Sequence, residues 1–137
     1  DKCGNINSTE IPGELYLLGS GGANDVASAA SEVVVLVHQS RGRYLEQVPY
    51  ITCPGERVST LVSTMGVFEK LGDDREFTLT ECFADPKLPT MEKKINQIKE
   101  SCSWELKVSP RVKEVSPPTE EELMQLRLFD PKRYFLT

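Results

Sequence analysis

His38 is the only histidine in 137 residues, and it closes an apolar, strand-like run. That placement reads as a structural histidine. It removes a hydrolase triad, a multi-histidine zinc site and a proton shuttle through a second histidine. Cysteine is the next candidate chemistry. Cys3, Cys53, Cys82 and Cys102 are separated by 50, 29 and 20 positions, so no CxxC pair offers a zinc site. Two disulfides remain open, in three connectivities. Cys53 and Cys82 close two of the strands expected below, which makes them the candidate disulfide of an oxidised chain. Asp73-Asp74 reads as a turn, because no further oxygen ligands follow at calcium-loop spacing. Glu120-Glu121-Glu122 suits the first turn of a helix, where acids complement the dipole. Gly19-Ser20-Gly21-Gly22 lacks both GxxxxGK(S/T) and GxGxxG, so no nucleotide site is expected. Trp104 reads as a core anchor. Arg41, Arg43 and Arg57 remain, as a basic docking patch or as solvated charges of a turn and a helix start, and Arg57 near a helix start gains nothing from the macrodipole.

The composition bounds what these residues can serve. Lys+Arg 16 against Asp+Glu 21 leaves a net charge of −5, which argues against a nucleic-acid partner. The longest apolar run, Val33 to Val37, is far below the roughly 20 residues of a membrane span. No cofactor or metal is implied. With 39% apolar and 27% charged residues the chain has the balance of an ordinary globular domain. A start at Asp1 without Met suggests processing or a piece of a longer parent with other domains. The expected location is cytoplasmic. The alternative is secreted or extracellular, supported by the even cysteine count and the Asn7-Ser8-Thr9 acceptor.

The elements that must position these residues follow from periodicity. Glu14 to Leu18 reads as a short strand, and Asp25 to Ser31 as a short helix or linker. Val33 to Val37 is β-branched and continuous, the pattern of a central strand buried on both faces. After a polar turn, Tyr44 to Thr52 reads as a second strand, demoted to an edge by Pro49. Val58, Leu61, Val62, Met65, Phe68 and Leu71 fall on one helical face closed by Gly72, which predicts a helix. Glu76 to Phe83 alternates as a third strand, and Met91, Ile95, Ile98 and Cys102 predict a helix from Thr90. Short strands are expected at Trp104–Val108 and Val112–Val115, then a helix capped by Thr119 and Glu122, then a strand at Tyr134-Phe135-Leu136.

The expected class is α+β. The strand EVVVLVHQ, the turn SRGR, the helix ERVSTLVSTMGVFEKLG, the strand REFTLTECF and the closing KRYFLT together resemble a Ras-association (Ras-binding) domain. That resemblance implies a ubiquitin-like β-grasp fold over residues 32–137, with a helical insertion and with residues 1–31 as an N-terminal extension. It implies a non-catalytic, protein-binding role in a signalling protein and a small GTPase in its GTP form as partner. Docking would pair the edge strand from Tyr44 to Thr52 with the partner, through Arg41, Arg43, Tyr44, Gln47 and Arg57. The alternative from another class is a disulfide-stabilised ectodomain module for adhesion or receptor recognition.

Overall fold

The computed structural model describes residues 1–134. Two short strands, β1 (Glu10–Ile11) and β2 (Leu15–Tyr16), form an antiparallel hairpin. Helix α1 (Ala23–Ala29) leads into β3 (Val33–Leu36). A 3₁₀ turn (Gly55–Arg57) precedes β4 (Val58–Val62), β5 (Gly66–Lys70) and β6 (Phe77–Cys82). Helix α2 (Met91–Glu100), β7 (Lys107–Glu114) and α3 (Glu120–Phe129) complete the chain. The last five strands form one mixed sheet in the order β3-β4-β5-β6-β7. Its outer pairs, β3 with β4 and β6 with β7, are parallel, and its inner pairs are antiparallel. This is a mixed α/β architecture and not a β-grasp, because the ββαβ unit expected from Glu32 to Phe83 is absent.

Residues 58–71, where spacing predicts a helix, form two strands and a tight turn instead. The cause is a β-bulge. Val33 pairs with Val58 but Val34 pairs with Thr60, which leaves Ser59 as an extra residue on β4. The insertion brings Val58 and Leu61, three apart, to the same buried face, and this imitates helical periodicity. A second bulge, between Leu79 and Glu81 on β6, does the same for Leu79 and Cys82. At the turn, Ser63 Oγ accepts from Met65 N and Gly66 N, both at 2.9 Å. Gly66 is required there, since a Cβ would lie 2.3 Å from the Glu81 carbonyl oxygen.

The core lies on one face of this sheet. Phe68, Phe77, Leu79 and Cys82 are almost fully buried there, and Met91, Ile95 and Ile98 of α2 close over them. The helix expected from Thr90 forms as α2, and Thr90 caps it by accepting from Lys93 N. The capping box of Thr119 and Glu122 also forms, at the head of α3. Residues 107–114 form one strand through Pro110, where two short ones are expected. The expected closing strand has Tyr134 in no strand, and Phe135 and Leu136 lie outside the described residues. Among the described residues, no helix is long and apolar enough to cross a membrane.

The expected second strand, Tyr44 to Thr52, is irregular loop. Tyr44 turns inward at 3% exposure and stacks on Trp104, with centroids 6.2 Å apart. Its hydroxyl donates to the Val37 carbonyl at 3.0 Å, and its own carbonyl accepts from Ser103 N at 2.9 Å. With its aromatic side chain and carbonyl tied to the interior, the segment is not available as a sheet edge. Residues 1–7 hold it in place. Lys2 N donates to Leu45 O, Phe77 N donates to Lys2 O, and Ile6 pairs with Cys53.

Candidate functional site

The Val-Val-Val-Leu of β3 has the continuous apolar character of a strand enclosed on both sides. The structure places it at the edge of the sheet, with β4 on one side and no described strand on the other. Val33, Val35 and Val37 lean onto the core, while Val34 and Leu36 stand 52% and 75% exposed. The expectation of a central strand buried on both faces is therefore corrected within the described residues.

A cavity of about 420 Å³ opens beside this strand. Val35 and Val37 form one wall, Ile11 and Leu17 of the β1–β2 region another, and Tyr44 and Leu61 the floor. Asn5 and Asn7 at its rim are engaged within the chain, while Arg43 is exposed there. Asn7 Oδ1 accepts from Thr9 N and its Nδ2 donates to Glu10 O at 2.7 Å. Asn5 Oδ1 accepts from Gly55 N at 2.8 Å, and Asn5 Nδ2 donates to Asp1. What faces the opening is chiefly apolar wall.

Three of the four thiols offer no nucleophile here. All four cysteines are free, so the Cys53–Cys82 bridge is not formed. Cys53 pairs through its backbone with Ile6, while Cys82 closes β6 in the core. Burial pushes the Cys102 thiol up to about 11 and raises those of Cys53 and Cys82, which keeps all three protonated near neutrality. Burial also raises the Tyr44 hydroxyl, so it serves as a hydrogen-bond donor and not as a base. Among the described residues, no three His, Cys, Asp or Glu side chains converge as metal ligands.

The five residues expected to dock a partner do not form one patch. Arg41 and Arg43 are exposed on the turn after Gln39, and Arg43 reaches the cavity rim. Tyr44 is interior, which corrects its assignment to a binding edge. Gln47 is exposed over a separate hollow with Lys2 and Glu46. Arg57 is exposed at the end of the 3₁₀ turn and borders neither cavity. Sequence reasoning missed the β3 edge and the Ile11–Leu17 wall. The uncharged run at Val33 was the signal for the first, and its position in the sheet decides its meaning.

No family model matches the chain. It is 26% identical to one of the subunits of the 3-oxoadipate CoA-transferase of Pseudomonas knackmussii, over 96% of this chain and 55% of that protein. The glutaconate coenzyme A-transferase structure from Acidaminococcus fermentans superposes with a TM-score of 0.82 at 20% identity, covering 100% of this chain and 57% of that one. The decarboxylase AibA/AibB superposes with a TM-score of 0.72 at 25% identity, covering 96% and 52%. The chain thus spans about half the length of the proteins it matches. These relatives overturn the Ras-association resemblance, and with it the small-GTPase partner and the non-catalytic signalling role. Nor do they support a secreted adhesion module. The fold of this chain is that of the CoA-transferase structures it superposes on.

Proposed function

We propose that the chain is part of a CoA-transferase-type enzyme, one that moves coenzyme A onto a carboxylic acid. The observation carrying this is a sequence match to a CoA-transferase subunit across 96% of the chain. Likeness of fold alone would not suffice, since one fold serves many chemistries. The relatives' names point to dicarboxylic acids as acceptors.

The chain's own residues act as scaffold in this reading. Protonated thiols at Cys53, Cys82 and Cys102 pack the core and do not carry the acyl group. A companion subunit is implied by the relative's name, which makes it one subunit of its enzyme.

The test takes the protein assembled with its companion subunit. It is incubated with succinyl-CoA and either 3-oxoadipate or glutaconate, and thioesters are resolved by chromatography. Transfer of coenzyme A to the acceptor is expected from the assembly and not from the 137-residue chain alone. Absence of exchange with both acceptors overturns the reading. Release of carbon dioxide without exchange would instead place the chain beside the decarboxylase.

A further inference from the structure

Of the four thiols, Cys3 is the one that the core does not enclose, and it lies beside the lysine that ends β5. We propose that Cys3 and Lys70 form an acyl-accepting pair. It takes the acyl group of a coenzyme A thioester first on the Cys3 sulfur and then on the Lys70 nitrogen. The identity of the donor rests on the CoA-transferase reading, whereas the pair rests on the geometry of this chain.

The fold brings together two residues that are far apart in sequence. Lys70 pairs with Phe77 at the start of β6, and Phe77 N donates to the Lys2 carbonyl at 2.9 Å. Residues 2–4 are thereby laid along the same end of the sheet. Gly4 takes a left-handed φ of +84°, and a Cβ there would come within 3.3 Å of Lys70 Nζ. The backbone next to Cys3 thus passes directly against the ammonium, and Cys3 and Lys70 interact electrostatically. Lys70 Nζ also donates to the Gly55 carbonyl and lies 5.4 Å from the centroid of the Phe77 ring. These contacts hold in place a side chain that is otherwise rich in rotamers.

Both members of the pair are suited to attack on a thioester. Burial is the chief cause holding the Lys70 ammonium below its ordinary value; Arg75 adds to this, while Cys3 and Glu56 oppose it. Lys70 therefore offers more free amine than an exposed lysine. Cysteine is intrinsically a strong nucleophile even when little of it is ionised. Cys3 borders an open hollow of about 570 Å³ together with Leu45, Gln47 and Ser103. That volume lies within the roughly 300–1,000 Å³ of small-molecule sites, enough to admit the thioester end of coenzyme A. Lys2 and Glu46 at its wall are paired with each other and with Glu76, so the thiol is the free reactive group there.

In the first step the Cys3 sulfur bonds to the acyl carbon and the bond from that carbon to the coenzyme A sulfur breaks. The thiol proton ends on the released coenzyme A. In the second step Lys70, having given its ammonium proton to solvent, bonds through nitrogen to the same carbon. The bond to the Cys3 sulfur breaks, and one amine proton returns to that sulfur. The net change is one acyl group moved from coenzyme A to Lys70, with no oxidant or reductant. A thioester held on Cys3 makes the second attack intramolecular, which is where proximity gives its largest gain.

The probe is succinyl-CoA, incubated with the protein assembled with its companion subunit, and adducts are located by peptide mass spectrometry. Lys70 should be acylated at least about tenfold faster than the exposed Lys87 and Lys99. Cys3→Ser should slow acylation of Lys70 by about tenfold or more and leave Lys87 and Lys99 unchanged. Lys70→Arg should leave the acyl group on Cys3 as a thioester that hydroxylamine removes. The pair is overturned by acylation of Lys70 no faster than that of the exposed lysines. It is equally overturned by a Cys3→Ser rate within about twofold of the parent, or by no hydroxylamine-labile adduct in Lys70→Arg. Transfer of coenzyme A to 3-oxoadipate or glutaconate, followed in the same mixture, keeps the two readings apart. Transfer without acylation of Lys70 removes the pair alone, and acylation without transfer removes the activity alone.

Discussion

At one edge of the sheet β7 carries Lys107, Arg111 and Lys113, with Pro110 between them; at the other, β3 carries three valines and a leucine. The pairing of β7 skips from Leu79↔Val108 to Glu81↔Lys113, so residues 109–112 bulge off the ladder. Charge, proline and a bulge are the devices by which an edge is made unfit for further pairing. Ion pairs reinforce it. Lys107 bonds Asp74 at 2.6 Å and Glu76 at 3.3 Å, Lys113 reaches Glu81 at 3.0 Å, and the buried Lys94 meets Glu114 at the strand's end. β3 carries neither charge nor proline, and the bulge in its ladder lies on β4. The difference teaches that, among the described residues, the sheet is finished on one side and open on the other.

The largest expected effect tests whether the inner side of the open edge already belongs to the core. Leu61 on β4 pairs with Val35 and is buried at 8% exposure. Leu61→Ala should cost on the order of 2–5 kcal/mol in urea unfolding, because it removes buried methylenes and enlarges an existing cavity. A loss below about 0.5 kcal/mol would mean that this side is not packed, and the contrast between edges would extend through the sheet.

A matched pair of substitutions sharpens the contrast itself. Val112 leans on the core from β7, whereas Leu36 stands in solvent. Val112→Lys should destabilise the chain by about 1–3 kcal/mol, while Leu36→Lys should fall within about 0.5 kcal/mol of the parent. Leu36→Lys should also reduce self-association at high concentration, read by light scattering. Equal costs at the two positions would erase the distinction between a finished and an open edge.

These residues also show what the sequence could and could not convey. Helix α2 was legible because Met91, Ile95 and Ile98 repeat at helical spacing, a local pattern with a local cause. The β6 strand was legible from its alternation, and α3 from its capping box. Residues 58–71 were not, because the bulge at Ser59 sets Val58 and Leu61 three apart and disguises a strand as a helix. Their β-branched content and Gly66 in mid-run were the signal for strands, outvoted by periodicity. Tyr44 was misread as an edge residue because its fate depends on Trp104, sixty positions away. The β3 run has the composition of a sheet interior. Its place at an edge depends on which polypeptide lies beside it, and no periodicity within the chain carries that.

The smallest expected effect lies at the finished edge and concerns pH. A hydrogen bond from Lys107 holds the Asp74 carboxyl below its ordinary value, and bonds from Lys2 and then Lys107 do the same for Glu76. A carboxylate whose folded pKa is depressed contributes stability above its unfolded pKa of about 4 and loses it as pH falls through the lower folded value. Both carboxylates are about one-third exposed to solvent, so the contribution is small and salt should screen it further. β3 contains no ionisable side chain. Lowering the pH through the carboxylate range should therefore speed amide exchange where β7 begins, at Lys107 and Val108, relative to the intrinsic rate. The same change should leave the relative protection of 33–36 in the isolated chain untouched. Added salt at neutral pH should reproduce the first effect in part and the second not at all. Parallel loosening at both edges would show that acid acts on the sheet as a whole, and that the ion pairs do not set β7 apart.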